Sequence, residues 1–249
     1  MRKLRGARIA LAASAVAVAA TGCTTMKKVQ DKTYNTFRSA LTSSYHDDRA
    51  EEKVAEAEEL FKAGEFEKAA PIFGDIADNT YNPVLMAEKA RYMQAECFRQ
   101  RGRTVDAITH YNRMLQDFPA GAYREKGCEQ IYTVAYGWLE EDTLKEVEAE
   151  LAGRSKPWWQ KAPKLPNPFD KTRPMMDQEG EALKYLETAH THDIMGPSAD
   201  KALFWCGYVN FYRGRYDEAD HFFSQLVEMH KDSPLWSEAV KLAVISKNN

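Results

Sequence analysis

Apolar residues recur three and four positions apart along most of the chain, and short polar turns interrupt them. From Ala50 to Lys62 the apolar positions are Val54, Ala57, Leu60 and Phe61, one face of a helix. Gly64 ends that run. A second face follows at Phe66, Ala69, Ala70, Ile72, Phe73 and Ile76, with Pro71 inside its first two turns. Past Asn82-Pro83 the pattern resumes at Leu85, Ala90, Tyr92, Ala95 and Phe98, and stops at Gly102. Ala107, Ile108, Tyr111, Met114 and Leu115 form its partner, closed by Phe118-Pro119.

Three turns share one design. Gly64, Gly102 and Gly214 are each followed, five residues later, by Ala69, Ala107 and Ala219. Glycine ends a helix because it reaches the left-handed conformation at little steric cost. The alanine is small where two antiparallel helices approach closely. A unit recurring at a near-fixed period predicts an all-α helical repeat array. The 112 residues from Gly102 to Gly214 are close to three repeat lengths and read as one unit split by an insert. Its first helix falls within residues 121–141, on Ile131, Ala135 and Trp138. Its second falls within 178–190, on Ala182, Leu186 and Ala189. Between them lies an insert, about 151–177, holding Trp158, Trp159 and several prolines; here the turn glycine is expected to have been replaced. The prediction is about four helix pairs plus a terminal helix, over residues 49–249. Ala239 to Ile245 covers more than one helix face, which implies a truncated array or a helix that docks on a partner.

The N-terminus follows a different pattern. Arg2, Lys3, Arg5 and Arg8 precede an apolar run from Ile9 to Ala20. A run of twelve residues is too short for a membrane-spanning helix, which needs about 20, but suits a secretory signal. Residues 23–48 read as a polar tether, in which Tyr34, Phe37, Leu41 and Tyr45 allow a short amphipathic helix.

Composition narrows the function. Hydrophobic residues make up 44% of the 249, as in a folded protein. The formal charge of −3 argues against a nucleic-acid surface. Loss of residues 1–22, with their four basic residues and no acid, takes it to −7. No phosphate-binding loop, nucleophile elbow or zinc-protease motif occurs. His190 and His192 beside Asp193 lack a fourth ligand, and solvated positions at a helix end are expected for both histidines. Cys97, Cys128 and Cys206 fit small core positions. The expectation is a binding protein with no catalytic residues, cofactor, metal or small-molecule substrate. An enzyme or metal protein built on the insert and His190/His192 is the alternative from another class.

The spacing resembles the tetratricopeptide repeat. That family places a small residue seven before the turn glycine and a bulky apolar one four before it. Alanine follows five after the glycine, an aromatic nine after, and often proline near the end. Here the first unit has Ala57, Leu60, Gly64, Ala69 and Phe73. The second has Ala95, Phe98, Gly102, Ala107, Tyr111 and Pro119, and the last has Gly207, Gly214, Ala219 and Phe223. Asn210 stands where a large apolar residue is expected. Ala20-Thr21-Gly22-Cys23 resembles a bacterial lipobox, with Ala20 in place of the usual leucine; the resemblance implies cleavage before Cys23 and acylation of its thiol. Thr24 after it resembles an outer-membrane address.

The joints Phe118-Pro119-Ala120-Gly121-Ala122-Tyr123 and Asp232-Ser233-Pro234-Leu235-Trp236 complete the likeness. Together these features resemble the tetratricopeptide lipoprotein subunit of the outer-membrane β-barrel assembly machinery. That implies a periplasm-facing scaffold, with assembly components or unfolded barrel segments as partners. Periplasmic repeat scaffolds for cell-wall or division enzymes are the competing family.

Stacked helix pairs line a groove with their first helices. Counting ten, six and three before each turn glycine assigns Val54, Glu58 and Phe61 to that groove, then Tyr92, Glu96 and Arg99. The last unit contributes Phe204, Tyr208 and Phe211, and the split unit Tyr132 and Tyr136. Aromatic residues dominate, which suits an extended or helical apolar segment as ligand.

Overall fold

The computed structural model describes residues 49–154 and 170–249; the signal, Cys23, the tether and the Trp158-Trp159 stretch lie outside them. Among the described residues ten α-helices follow in order: α1 (Ala50–Lys62), α2 (Phe66–Asp78), α3 (Val84–Gln100), α4 (Thr104–Asp117), α5 (Arg124–Leu139), α6 (Lys145–Leu151), α7 (Gln178–His192), α8 (Ala199–Tyr212), α9 (Tyr216–Met229) and α10 (Trp236–Lys247). The pairs are α1/α2, α3/α4, α5/α7 and α8/α9, and α10 covers α9. Each pair also packs on the next, so the array grows by neighbour contacts.

Each predicted glycine stop closes in the same way. Gly64, Gly102 and Gly214 have φ of 79°, 69° and 73°. The amide after each donates to the carbonyl five residues back: Glu65 to Leu60, Arg103 to Phe98, Arg215 to Asn210. This six-to-one bond satisfies a carbonyl that the helix end leaves open. The alanines five residues on, Ala69, Ala107 and Ala219, are fully buried. Asn210 is accommodated by hydrogen bonds. Its Nδ2 donates to the Cys206 carbonyl (2.8 Å), and its Oδ1 accepts from Arg215 Nε (2.6 Å).

The split unit corrects the expectation that its glycine is gone. Helix α5 runs through a π turn, Glu140–Leu144, directly into α6. That extended helix ends at Gly153, φ 64°, with Arg154 donating to the Ala149 carbonyl. The stop is therefore displaced along a longer first helix. Where the chain returns, residues 170–172 fasten to the array. Trp138 Nε1 donates to the Thr172 carbonyl at 2.9 Å, and the Val105 amide donates to the Lys171 carbonyl at 3.1 Å. The second bond satisfies an otherwise open N–H in the first turn of α4, which has no side-chain cap.

The joints between units are held by carboxylates in equivalent register. Glu88 and Asp200 both lie fourteen residues before a turn glycine. Buried Glu88 accepts from the Tyr123 amide (2.6 Å) and the Ala122 amide (3.1 Å). Asp200 accepts from the Ser233 hydroxyl at 2.6 Å. A carboxylate at the start of α5 also complements that helix's positive end.

Among the described residues apolar packing forms three clusters: one across α1–α3, one from α3 through α5 and α7 to α8, and one across α8–α10. Pro71 is the sixth residue of α2, inside its first two turns as the sequence reading expects. Leu85 is exposed, and α3 buries Ala87, Ala90 and Ala95 instead. In α10, Ala239, Leu242 and Ala243 face α9 while Val244 and Ile245 remain exposed.

One half-buried histidine makes the first of these clusters' borders sensitive to acid. His110 of α4 stacks on Phe98 with ring centres 4.9 Å apart. Burial first, then the Arg91 and Arg113 charges, push its pKa down to about 4, against smaller opposing effects of Asp106 and Asp78. The folded state thus favours neutral His110, so stability is full above the unfolded value near 6.5 and falls as pH drops towards 4. The expected loss between pH 7 and pH 4.5 is on the order of 2 kcal/mol. His110→Gln should remove that part of the pH dependence in urea unfolding; an unchanged acid limb would exclude His110 as its source.

Candidate partner-binding face

Helices α5 and α8 are the first helices of successive units, and their aromatic residues meet. Tyr132 and Tyr136 stack one turn apart, with ring centres 5.8 Å apart. Tyr136 touches Trp205 at 5.2 Å. Trp205 meets Tyr208 at 5.5 Å, Tyr208 meets Tyr212 at 4.6 Å, and Tyr212 meets Phe211 at 5.5 Å. Phe211 then reaches Tyr216 at the start of α9, at 5.6 Å. The result is a continuous row of half-buried rings lying over the central apolar cluster. Burial raises the pKa of Tyr132 to about 12 and also raises those of Tyr136 and Tyr208, so the phenols stay neutral donors at physiological pH.

Of the eleven expected groove positions, Val54 and Glu58 are half-buried on α1, and the other nine fall into four groups. Tyr132, Tyr136, Tyr208 and Phe211 join the row just described. Tyr92 and Arg99 lie on α3 beside it, with Tyr92 packed 5.1 Å from Tyr123 at the neck of α5. Phe61 is separate, edge-on to Phe66 at 5.1 Å in the α1–α3 cluster. Glu96 and Phe204 are corrections. Glu96 is 7% exposed, accepts from the Tyr111 hydroxyl and receives Arg99 Nη2 at 2.7 Å, so its carboxylate is spent inside the protein. Phe204 is 6% exposed and packs 5.9 Å from Phe223 between α8 and α9. Both support the face from beneath.

Sequence counting missed Trp205, which stands one residue off the counted register yet bridges α5 to α8. It also missed Glu140 and Glu148. Together with Tyr136, Leu144, Lys145, Trp205 and Tyr208 they line a cavity of about 240 Å³ between the extended helix and α8. Helix α6 is held there by Arg213, which gives 2.8 Å and 3.1 Å bonds to Glu179 and Glu146.

The expectation of solvated histidines needs correction for His190, while His192 is partly exposed. His190 is buried, its ring centre 6.5 Å from that of His230, and burial followed by the His230 charge lowers its pKa. Among the described residues no group of three or more His, Cys, Asp or Glu side chains could hold a metal ion. Cys97, Cys128 and Cys206 are buried free thiols whose pKa values burial raises, the state of inert packing residues.

Residues 54–122, the first two helix pairs, match a family model of the tetratricopeptide repeat. No curated protein matches the chain in sequence. The remaining pairs repeat the glycine stop, the buried alanine and the neighbour packing of the matched ones. The fold is an all-α tetratricopeptide superhelix, and a repeat of this kind implies a protein-binding scaffold.

Proposed function

We propose that this chain is a lipid-anchored scaffold that gathers protein partners at the outer membrane, facing the periplasm, during insertion of β-barrel proteins. The observation that carries the binding role is the row of rings from Tyr132 to Tyr216. Contiguous, half-buried aromatic residues with neutral hydroxyls are the surface that protein partners use as anchors. An apolar or amphipathic segment of an assembly component, or of an unfolded barrel, suits such a row.

The anchor rests on the signal-like N-terminus and Cys23. No described helix is long and apolar enough to cross a membrane. Each buried methylene of an acyl chain contributes about 0.8 kcal/mol, and stable attachment needs more than one chain. Cys23→Ser should therefore move the protein from the membrane to the soluble fraction, and continued attachment would rule out the lipid as its main tether. Mild cross-linking of the anchored protein should recover barrel-assembly components. Recovery of cell-wall synthases instead would overturn the assembly role. Tyr132→Ala with Phe211→Ala should abolish that recovery while circular dichroism is unchanged.

A further inference from the structure

The π turn sets up a chemical feature that the repeat itself does not require. Tyr136, Glu140, Leu144 and Glu148 recur every four residues through α5, the π turn and α6. In an unbroken α-helix each such step drifts by about 40°, which would carry Glu148 well away from Tyr136. The wider turn of the π segment takes back part of that drift. All four side chains consequently line one cavity, closed on the other side by Trp205 and Tyr208 of α8.

The lining has a distinct charge. Glu140 and Glu148 are exposed carboxylates, and neither forms an ion pair or hydrogen bond with a described residue. The nearby acids Glu146 and Glu179 are neutralised by Arg213, but that arginine does not serve the cavity. Lys145, exposed on the rim, pairs with neither cavity acid, so two negative charges stand against one positive. Three aromatic side chains complete the wall. Aromatic faces attract cations through their quadrupole, and carboxylates beside them strengthen that preference. The cavity, about 240 Å³, is smaller than the ~300–1,000 Å³ of pockets that enclose drug-sized ligands. It suits one side chain, and it opens beside the row of rings on which the flanking residues of a bound segment would lie.

We propose that this cavity receives a lysine or arginine side chain of a protein partner, held between Tyr136, Trp205 and Tyr208 and neutralised by Glu140 and Glu148. This rests on the scaffold reading and adds to it the chemistry of the partner: an aromatic-binding segment that carries one basic residue.

The test uses the full-length chain and short labelled peptides that differ at one position: Lys, Arg, Gln or Glu. At low salt the Lys and Arg peptides should bind at least about tenfold more tightly than the Gln peptide, and the Glu peptide most weakly. High salt should shrink that gap. Glu140→Gln with Glu148→Gln should abolish the charge preference; both carboxylates are exposed and unpaired, so the fold has no stake in them. Lys145→Ala should widen the preference, an outcome that a merely structural role for this site does not give. Equal binding of the Lys and Gln peptides, or a preference that survives the double substitution, would overturn the proposal. If all peptides bind alike and Trp205→Ala weakens them alike, the cation site fails while the scaffold stands. If no peptide binds, the cation site fails, and the cross-linking result decides the scaffold separately. Tighter binding of free choline than of the Lys peptide would assign the cavity to a small organic cation and likewise overturn the proposal.

Discussion

Asp78→Ala is expected to destabilise the array by about 3–5 kcal/mol, the cost of leaving a buried charge uncompensated. Asp78 ends α2 and accepts from two arginines. Arg91 of α3 reaches it with a side chain only 1% exposed, and Arg113 of α4 reaches it at 2.8 Å. Burial and the neighbouring Arg113 already lower the Arg91 pKa, and the Asp78 charge offsets them. Without the carboxylate two guanidiniums face each other, with Asp117 3.8 Å from Arg91 as the remaining acid. Arg91→Met should cost less, about 1–3 kcal/mol, because Asp78 keeps Arg113. Urea midpoints followed by circular dichroism compare the two. A smaller loss for Asp78→Ala than for Arg91→Met would show that the ion cluster does not join the first two units.

Phe223→Ala should cost about 3–5 kcal/mol through the transfer and cavity terms of a large buried ring. Phe223 is fully buried on α9 and lies against Gly207 of α8. A Cβ at Gly207 would stand 2.7 Å from the ring, closer than a packed interior allows. Gly207→Ala should therefore cost about 1–3 kcal/mol by overpacking. The two changes relieve each other, so the pair Gly207→Ala with Phe223→Ala should cost less than the sum of the singles. Strict additivity would mean that the ring and the glycine do not define this helix crossing. Ala57 and Ala95 occupy the equivalent position in the first two units, buried in the same clusters as Phe73 and Tyr111, and there the methyl is accommodated.

The repeat was legible because its signals are local. A glycine at positive φ and an alanine five residues later both act within one turn of chain. The depth of a side chain is not local. Glu96 and Arg99 look alike as charged positions on α3, yet Glu96 sinks because Tyr111 of α4 donates to it. His190 is covered by His230, forty residues away. Phe204 and Tyr208 are one turn apart on α8 and both touch the α8–α10 cluster, yet only the former is buried. The π turn has no residue signature, so the four-residue spacing from Tyr136 to Glu148 could not be read as one wall. Gly153 was obscured by the Trp- and Pro-rich stretch that follows it.

The return segment near Thr172 changes how the array should open. Most of the packing runs between adjacent members of the array, so a pull on one end can peel units off singly. Thr172 and Lys171 instead bind α4 and α5 together from a point far along the chain. That fastening works like a strap across a hinge. The second and third units should loosen as one block, and the outer helices should exchange their amide protons first.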